Sequence, residues 1–188
     1  MKLSGQVTIE ASADRVWEIL GHQFATVGEW ATAIDDSGPT DEPTDGLPGR
    51  VCQTGMRAFP AVTERIVNFD ETNRTLTYEA TGLPALVGKA RNTWWVSPVG
   101  QQRARARFDG VLETRGLAGL VIALPLRLRM RHETRTVLDD LKHYAEHGTP
   151  SRSKQRRLAG GSGLLAVWTT TRPRTVREPL QRPPGHSR

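Results

Sequence analysis

Hydrophobic positions alternate at the N-terminus in "KLSGQVTIE", where Leu3, Val7 and Ile9 share one parity, and this predicts a first strand. The period then lengthens. In "ASADRVWEILGHQFATVGEW" the hydroxyl of Ser12 can cap a helix N-terminus, and Asp14 suits the positive end of the helix dipole. Val16, Trp17 and Leu20 follow at helical spacing, and Gly21 marks the end. A second short helix is expected near residues 22–30, with Phe24, Val27 and Trp30 on one face. The acidic, Gly- and Pro-rich stretch 35–49, "DDSGPTDEPTDGLPG", reads as a long loop.

Beyond it the period becomes two. Residues 50–57, 62–69, 75–81, 91–98 and 103–112 alternate or are rich in β-branched and aromatic side chains, with turn signals between them. The last two predict a hairpin over residues 99–102. In the final strand Ala104, Ala106 and Phe108 face one way and Arg103, Arg105 and Arg107 the other, so one side is dry and the other wet. Residues 126–146 return to helical period, with Leu126, Met130, Thr134, Val137, Leu138, Leu141 and Tyr144 in one stripe and Arg131, Arg135, Asp139, Lys142 and Glu146 opposite. Gly148 and Pro150 stop this helix. Just before it, "RGLAGLVIAL" reads either as an apolar lid or as early turns of the same helix, with Pro125 marking a kink or a start. From residue 149 onward no period is sustained, and Arg, Gly and Pro predict a disordered tail after a domain spanning residues 1–148.

Charge sharpens that division. Residues 1–148 hold 17 Lys and Arg against 19 Asp and Glu, net −2, whereas residues 149–188 hold 9 against 1, net +8, which reproduces the overall +6. The charge of the folded part therefore gives no reason to expect a nucleic-acid surface. At 188 residues the chain can bury one real core. A single cysteine, Cys52, cannot make an internal disulfide, and no apolar signal segment precedes Glu10. The longest apolar run is about half the ~20 residues a membrane helix needs. A cytoplasmic protein without a transmembrane segment is the expectation.

Several of these patterns, in their order, resemble the START-like (SRPBCC) superfamily, and most nearly its bacterial polyketide cyclase/dehydrase-like branch. "IEASADRVWEIL" is similar to the superfamily's "I-x-A-x-x-x-x-V-W-x-x-L" opening, and "GEW" sits where a tryptophan ends its second helix. "DGLPGRV" resembles its Gly-rich entry into a strand. "VTERIVNFDETNRTLTYEAT" resembles its hairpin, with Glu64, Arg65, Asp70, Arg74 and Tyr78 in place, and "VLDDLKHYAE" its closing helix. The resemblance covers roughly residues 3–147. It implies an α+β helix-grip fold, in which a curved antiparallel sheet wraps a long C-terminal helix and two short helices close one end. One position departs from the pattern: where the family has the arginine of "G-x-V-R", this chain has Cys52, with Arg50 two places earlier.

The resemblance further implies a cavity between sheet and last helix. Trp17 is expected in the core and Trp30 at the cavity mouth. Aligning Val96 with the inward apolar parity puts Asn92 and Trp94 inside and Trp95 outside. Of Glu64 and Arg65, strand neighbours, at most one can line the cavity. The expected ligand contacts are Trp30, Met56, Arg65, Tyr78, Asn92, Trp94, Phe108, Met130 and Thr134. Each of the large ones is equally a core residue. Catalytic residues are not assigned. The five histidines lack metal-ligand spacing, and no phosphate loop, nucleophile elbow or CxxC is present, so neither metal nor cofactor is expected. Three functions stay open: binding of a small hydrophobic molecule (a lipid, polyketide or aromatic metabolite), cofactor-free aldol closure and dehydration by a polyketide cyclase/aromatase, or a protein-interaction module.

Overall fold

In the computed structural model, residues 1–40, 48–54, 60–83, 87–114 and 116–165 are described, the side chains of 114–126 and 160–165 excepted. Seven strands form one curved antiparallel sheet: β1 (Lys2–Ile9), β2 (Asp36–Pro39), β3 (Gly49–Gln53), β4 (Ala61–Asp70), β5 (Thr75–Thr81), β6 (Val87–Gly100) and β7 (Arg103–Thr114). Their order is β1-β7-β6-β5-β4-β3-β2. This is the α+β helix-grip architecture. Between β1 and β2 runs α1 (Ala13–Trp17), capped by the Ser12 hydroxyl, which accepts from the Arg15 amide at 3.2 Å. It continues as a π turn over Glu18–His22 and then as a 3-10 helix over Phe24–Glu29. Two further helices follow β7: α2 (Gly116–His147) and α3 (Arg152–Leu165).

The inner face of the sheet is read off its register. Leu3, Val7 and Ile9 on β1 lie beside Gly110, Ala106 and Ala104 on β7, and Trp94 and Val96 on β6 lie beside Phe108 and Ala106. Trp94 is buried, while Trp95 on the outer face stacks under Arg107 at 5.1 Å, the parity that Val96 predicts. Helix α2 grips β1 at Gly5: a Cβ there would lie 2.7 Å from Leu138 Cδ1. Leu138, Leu141 and Ala145 are buried on that helix.

Three expectations need correction. Asp36–Pro39, expected within a loop, adds an edge strand by pairing with β3 from Gln53 to Arg50, a tertiary pairing that acidic composition conceals. The last helix starts ten residues earlier than its stripe, so "GLAGLVIAL" forms its first turns and Pro125 is not its start. Disorder from 149 onward fails for residues 152–165, which form α3. Its described part docks through Lys154 and Arg157 rather than an apolar stripe, so hydrophobic periodicity has nothing to detect. Residues 166–188 lie outside the described residues.

Candidate ligand-binding site

Side-chain size along the inner face decides where space is left. Toward the 3-10 helix the face carries Leu76, Tyr78 and Trp94, which with Phe24, Val27, Trp30 and Arg50 leave a cavity of only about 30 Å³. Toward the other end the bulky residues give way to Ala80, Ala90 and Gly110, and here a cavity of about 320 Å³ opens between the sheet and the 129–134 segment of α2. Gly110 matters because a Cβ would sit 3.1 Å from Asn92 Oδ1 and 3.1 Å from the Phe108 ring. The large cavity is walled mainly by apolar groups: Leu3, Ile34, Val62, Phe108, Leu112 and Met130 among them.

Between the two cavities lies a buried ion pair. Arg50 and Glu64 face each other across β3 and β4, and the Arg50 Nη2 and Nε atoms each lie 2.5 Å from Glu64 Oε2. Nη1 of Arg50 donates to the Phe24 carbonyl at 2.7 Å, and the guanidinium lies 3.9 Å from the Phe24 ring centroid and 5.2 Å from that of Tyr78. Burial, the largest single influence, depresses the Arg50 pKa, but Glu64, Tyr78 and Cys52 together offset it and the value is raised. Tyr78 is raised too, by burial first and then by Glu64, so its phenol stays protonated. Burial pushes the Cys52 thiol up to about 12, which keeps it an inert thiol beside Glu64.

The expected contacts therefore divide. Asn92, Phe108, Met130 and Thr134 line the large cavity. Trp30, Tyr78 and Trp94 line the small one, with Trp94 packed 4.9 Å from Phe108. Trp30 is 3% exposed, not at a mouth, and its indole N–H has no acceptor among the described residues. Arg65 is corrected: strand parity turns it outward to the exposed face and gives the cavity to Glu64. Met56 lies outside the described residues. Sequence reasoning missed Arg50 as a site residue. The signal was available, since Arg50 shares inward parity with Cys52 on a short strand.

Of the ionisable side chains on the large cavity, Cys52 is protonated, Glu64 is paired with Arg50, and Arg129 and Glu133 approach to 3.9 Å one helical turn apart. Asn92 differs. Its carboxamide faces the cavity and has no hydrogen-bond partner among the described residues. No cluster of potential metal ligands occurs among the described residues, and no described helix is long and apolar enough to cross a membrane.

Over residues 1–146 the sequence matches the family described as "Polyketide cyclase / dehydrase and lipid transport". The chain belongs to this family. The matched span ends within the last turn of α2, so α3 lies beyond the part shared with the polyketide cyclase/dehydrase family. Among solved structures the chain is similar to the di-domain ARO/CYC BexL, with a TM-score of 0.62 at 18% identity, covering 76% of this chain and 45% of that one. It thus spans less than half of that protein. It is also similar to the Zhui aromatase/cyclase from a Streptomyces species, with a TM-score of 0.56 at 17% identity over 80% of this chain and 99% of that one. Norcoclaurine synthase from Thalictrum flavum gives a TM-score of 0.57 at 14% identity, over 78% and 94%. At such identities the likeness is one of fold. No curated protein matches the sequence.

Proposed function

We propose that this member of the polyketide cyclase/dehydrase family binds a small, mostly hydrophobic molecule, polyketide-derived or otherwise aromatic, in the large cavity without turning it over. The carrying observation is the chemistry of the cavity wall. It is apolar and about 320 Å³, at the lower end of the ~300–1,000 Å³ usual for ligand pockets, and its free polar anchor is the uncharged Asn92 amide. General acid–base catalysis needs a titratable group free to exchange a proton near the working pH. Cys52 and Tyr78 are raised far from it, Glu64 is already committed to Arg50, and Glu133 stands beside the Arg129 guanidinium on the partly exposed face of α2. A buried free thiol suits a reducing, cytoplasmic setting.

The test uses the dye 8-anilinonaphthalene-1-sulfonate together with native mass spectrometry of freshly purified protein. One equivalent of dye should bind with enhanced fluorescence. Ala90→Phe, which places a ring in the space beside Leu112 and Ala80, should abolish that binding while the melting transition stays cooperative. Dye binding unaffected by Ala90→Phe sinks the proposal, and so does conversion of a poly-β-ketone by the wild type that Ala90→Phe removes.

A further inference from the structure

Beyond the family-matched span, the described part of α3 reaches back to the domain through Lys154 and Arg157. Lys154 has no solvent exposure, and its ammonium donates to the carbonyls of Ile34 and, at 3.4 Å, Asp35. Arg157 reaches the Asp35 carboxylate at 2.5 Å and the Thr54 carbonyl at 2.9 Å. At the start of the helix the Ser151 hydroxyl donates to Asp140 Oδ1 at 2.6 Å, while Asp140 Oδ2 accepts the Thr32 amide at 2.7 Å. The residues so held belong to the cavity wall: Ile34 and Thr54 both line the large cavity and Asp35 adjoins its Ala33–Ile34 segment, which Thr32, bonded to Asp140, flanks on the other side. Four hydrogen bonds from Lys154 and Arg157 thus converge on the 34–35 segment and on Thr54, just past β3, while Ser151, just before α3, ties to Asp140 of α2.

We propose that α3 is a clasp that controls access to the large cavity, with Lys154 and Arg157 as its positioning residues. Neither touches the ligand space. They fix the carbonyls of the 34–35 segment and of Thr54, so the wall can move outward only when α3 lets go. The Lys154 ammonium, fully buried with two carbonyl partners, makes charge-assisted hydrogen bonds that water does not compete for, whereas the more exposed Arg157 adds a bridge between a carboxylate and a carbonyl. The clasp deepens the ligand-binding reading and rests on it for its purpose, but the movement can be measured without a ligand.

Cys52 supplies the probe, being the one cysteine of the chain, buried, and part of the cavity wall. Labelling of the full chain by 5,5′-dithiobis(2-nitrobenzoate) should accelerate roughly tenfold or more in Lys154→Ala/Arg157→Ala, as loss of charge-assisted hydrogen bonds predicts. It should stay at the wild-type rate in Arg156→Ala, an exposed position on the same helix. Labelling that rises only in step with global unfolding, followed by denaturant dependence, reduces α3 to a stabilising element and overturns the clasp. Unchanged labelling overturns it as well. Should the double variant not fold, Ser151→Ala and native-state hydrogen exchange of the wild type decide instead. The amides of Lys154 to Arg157 should open with the same free energy as Cys52 labelling, below the global value, and two different energies overturn the proposal. In the stopped flow, release of 8-anilinonaphthalene-1-sulfonate should quicken by the same factor as labelling. A wild type that binds no dye removes the ligand-binding reading, while the thiol measurement still decides the clasp.

Discussion

The two ends of the same gap, between one sheet and one helix, have opposite characters. At the 3-10 helix end the inner face presents Leu76, Tyr78 and Trp94, and the wall closes to about 30 Å³. At the Met130 end it presents Ala80, Ala90 and Gly110, and about 320 Å³ stays open. The same sheet runs past both ends, and side-chain volume on its inner face contributes to the difference, together with the Ile19–Val27 helical turns that cover the closed end: a core closes wherever facing side chains fill the interlayer distance. The Arg50–Glu64 pair stands at the border. It brings charge into the interior, yet neutralises it within the protein.

Substitution at that border has the largest expected effect. Glu64→Gln leaves the Arg50 guanidinium buried without its counter-charge and should cost about 3–5 kcal/mol in urea unfolding, most of it regained in Arg50→Leu/Glu64→Leu. A double variant as unstable as the single one would mean that the pair is not the cause. At the closed end, Leu141→Ala removes a fully buried side chain from tight packing and should cost ~2–5 kcal/mol. Met130→Ala at the open end should cost under ~1 kcal/mol, because the space it would leave is already there. Equal losses at the two ends would erase the contrast drawn above.

Alkali should expose a subtler difference. The Cys52 thiol titrates near about 12 in the folded protein against an ordinary 9.0, so unfolding releases its proton more readily. The stability it contributes is complete below about pH 9 and is lost as pH rises toward about 12. Between about pH 8 and about pH 10 the loss attributable to Cys52 should be ~1.4 kcal/mol, and Cys52→Ala should flatten the pH profile by that amount. An unchanged slope in Cys52→Ala would show that the thiol is not held in the dry border region.

The fold is largely legible because its signals are local. Ser12 caps α1 as its hydroxyl chemistry requires, Ala104, Ala106 and Phe108 turn inward by parity, and Leu138 and Leu141 face the sheet by the helical period. The site is legible in part. Asn92, Phe108, Met130 and Thr134 reach the large cavity, yet Trp30, Tyr78 and Trp94 do not, since inward parity says which face a residue takes and not how far along it space remains. Arg65 was misplaced for want of one fact, the facing of Glu64. Helix α3 was illegible for another reason: an Arg-rich stretch without an apolar stripe looks disordered until its partners, Asp35, Asp140 and the Thr54 carbonyl, are placed around it.

Sequence alone thus determined the alternation of elements, the inward and outward faces of each strand, and the gripping stripe of the last helix. All of these follow from periods within a single segment. Tertiary structure alone decided the rest: that Arg50 meets Glu64, that three small residues from three strands line the same cavity, and that Lys154 finds two carbonyls 119 and 120 residues away. Those outcomes depend on distances between segments, and only the packed chain fixes distances between segments far apart in sequence.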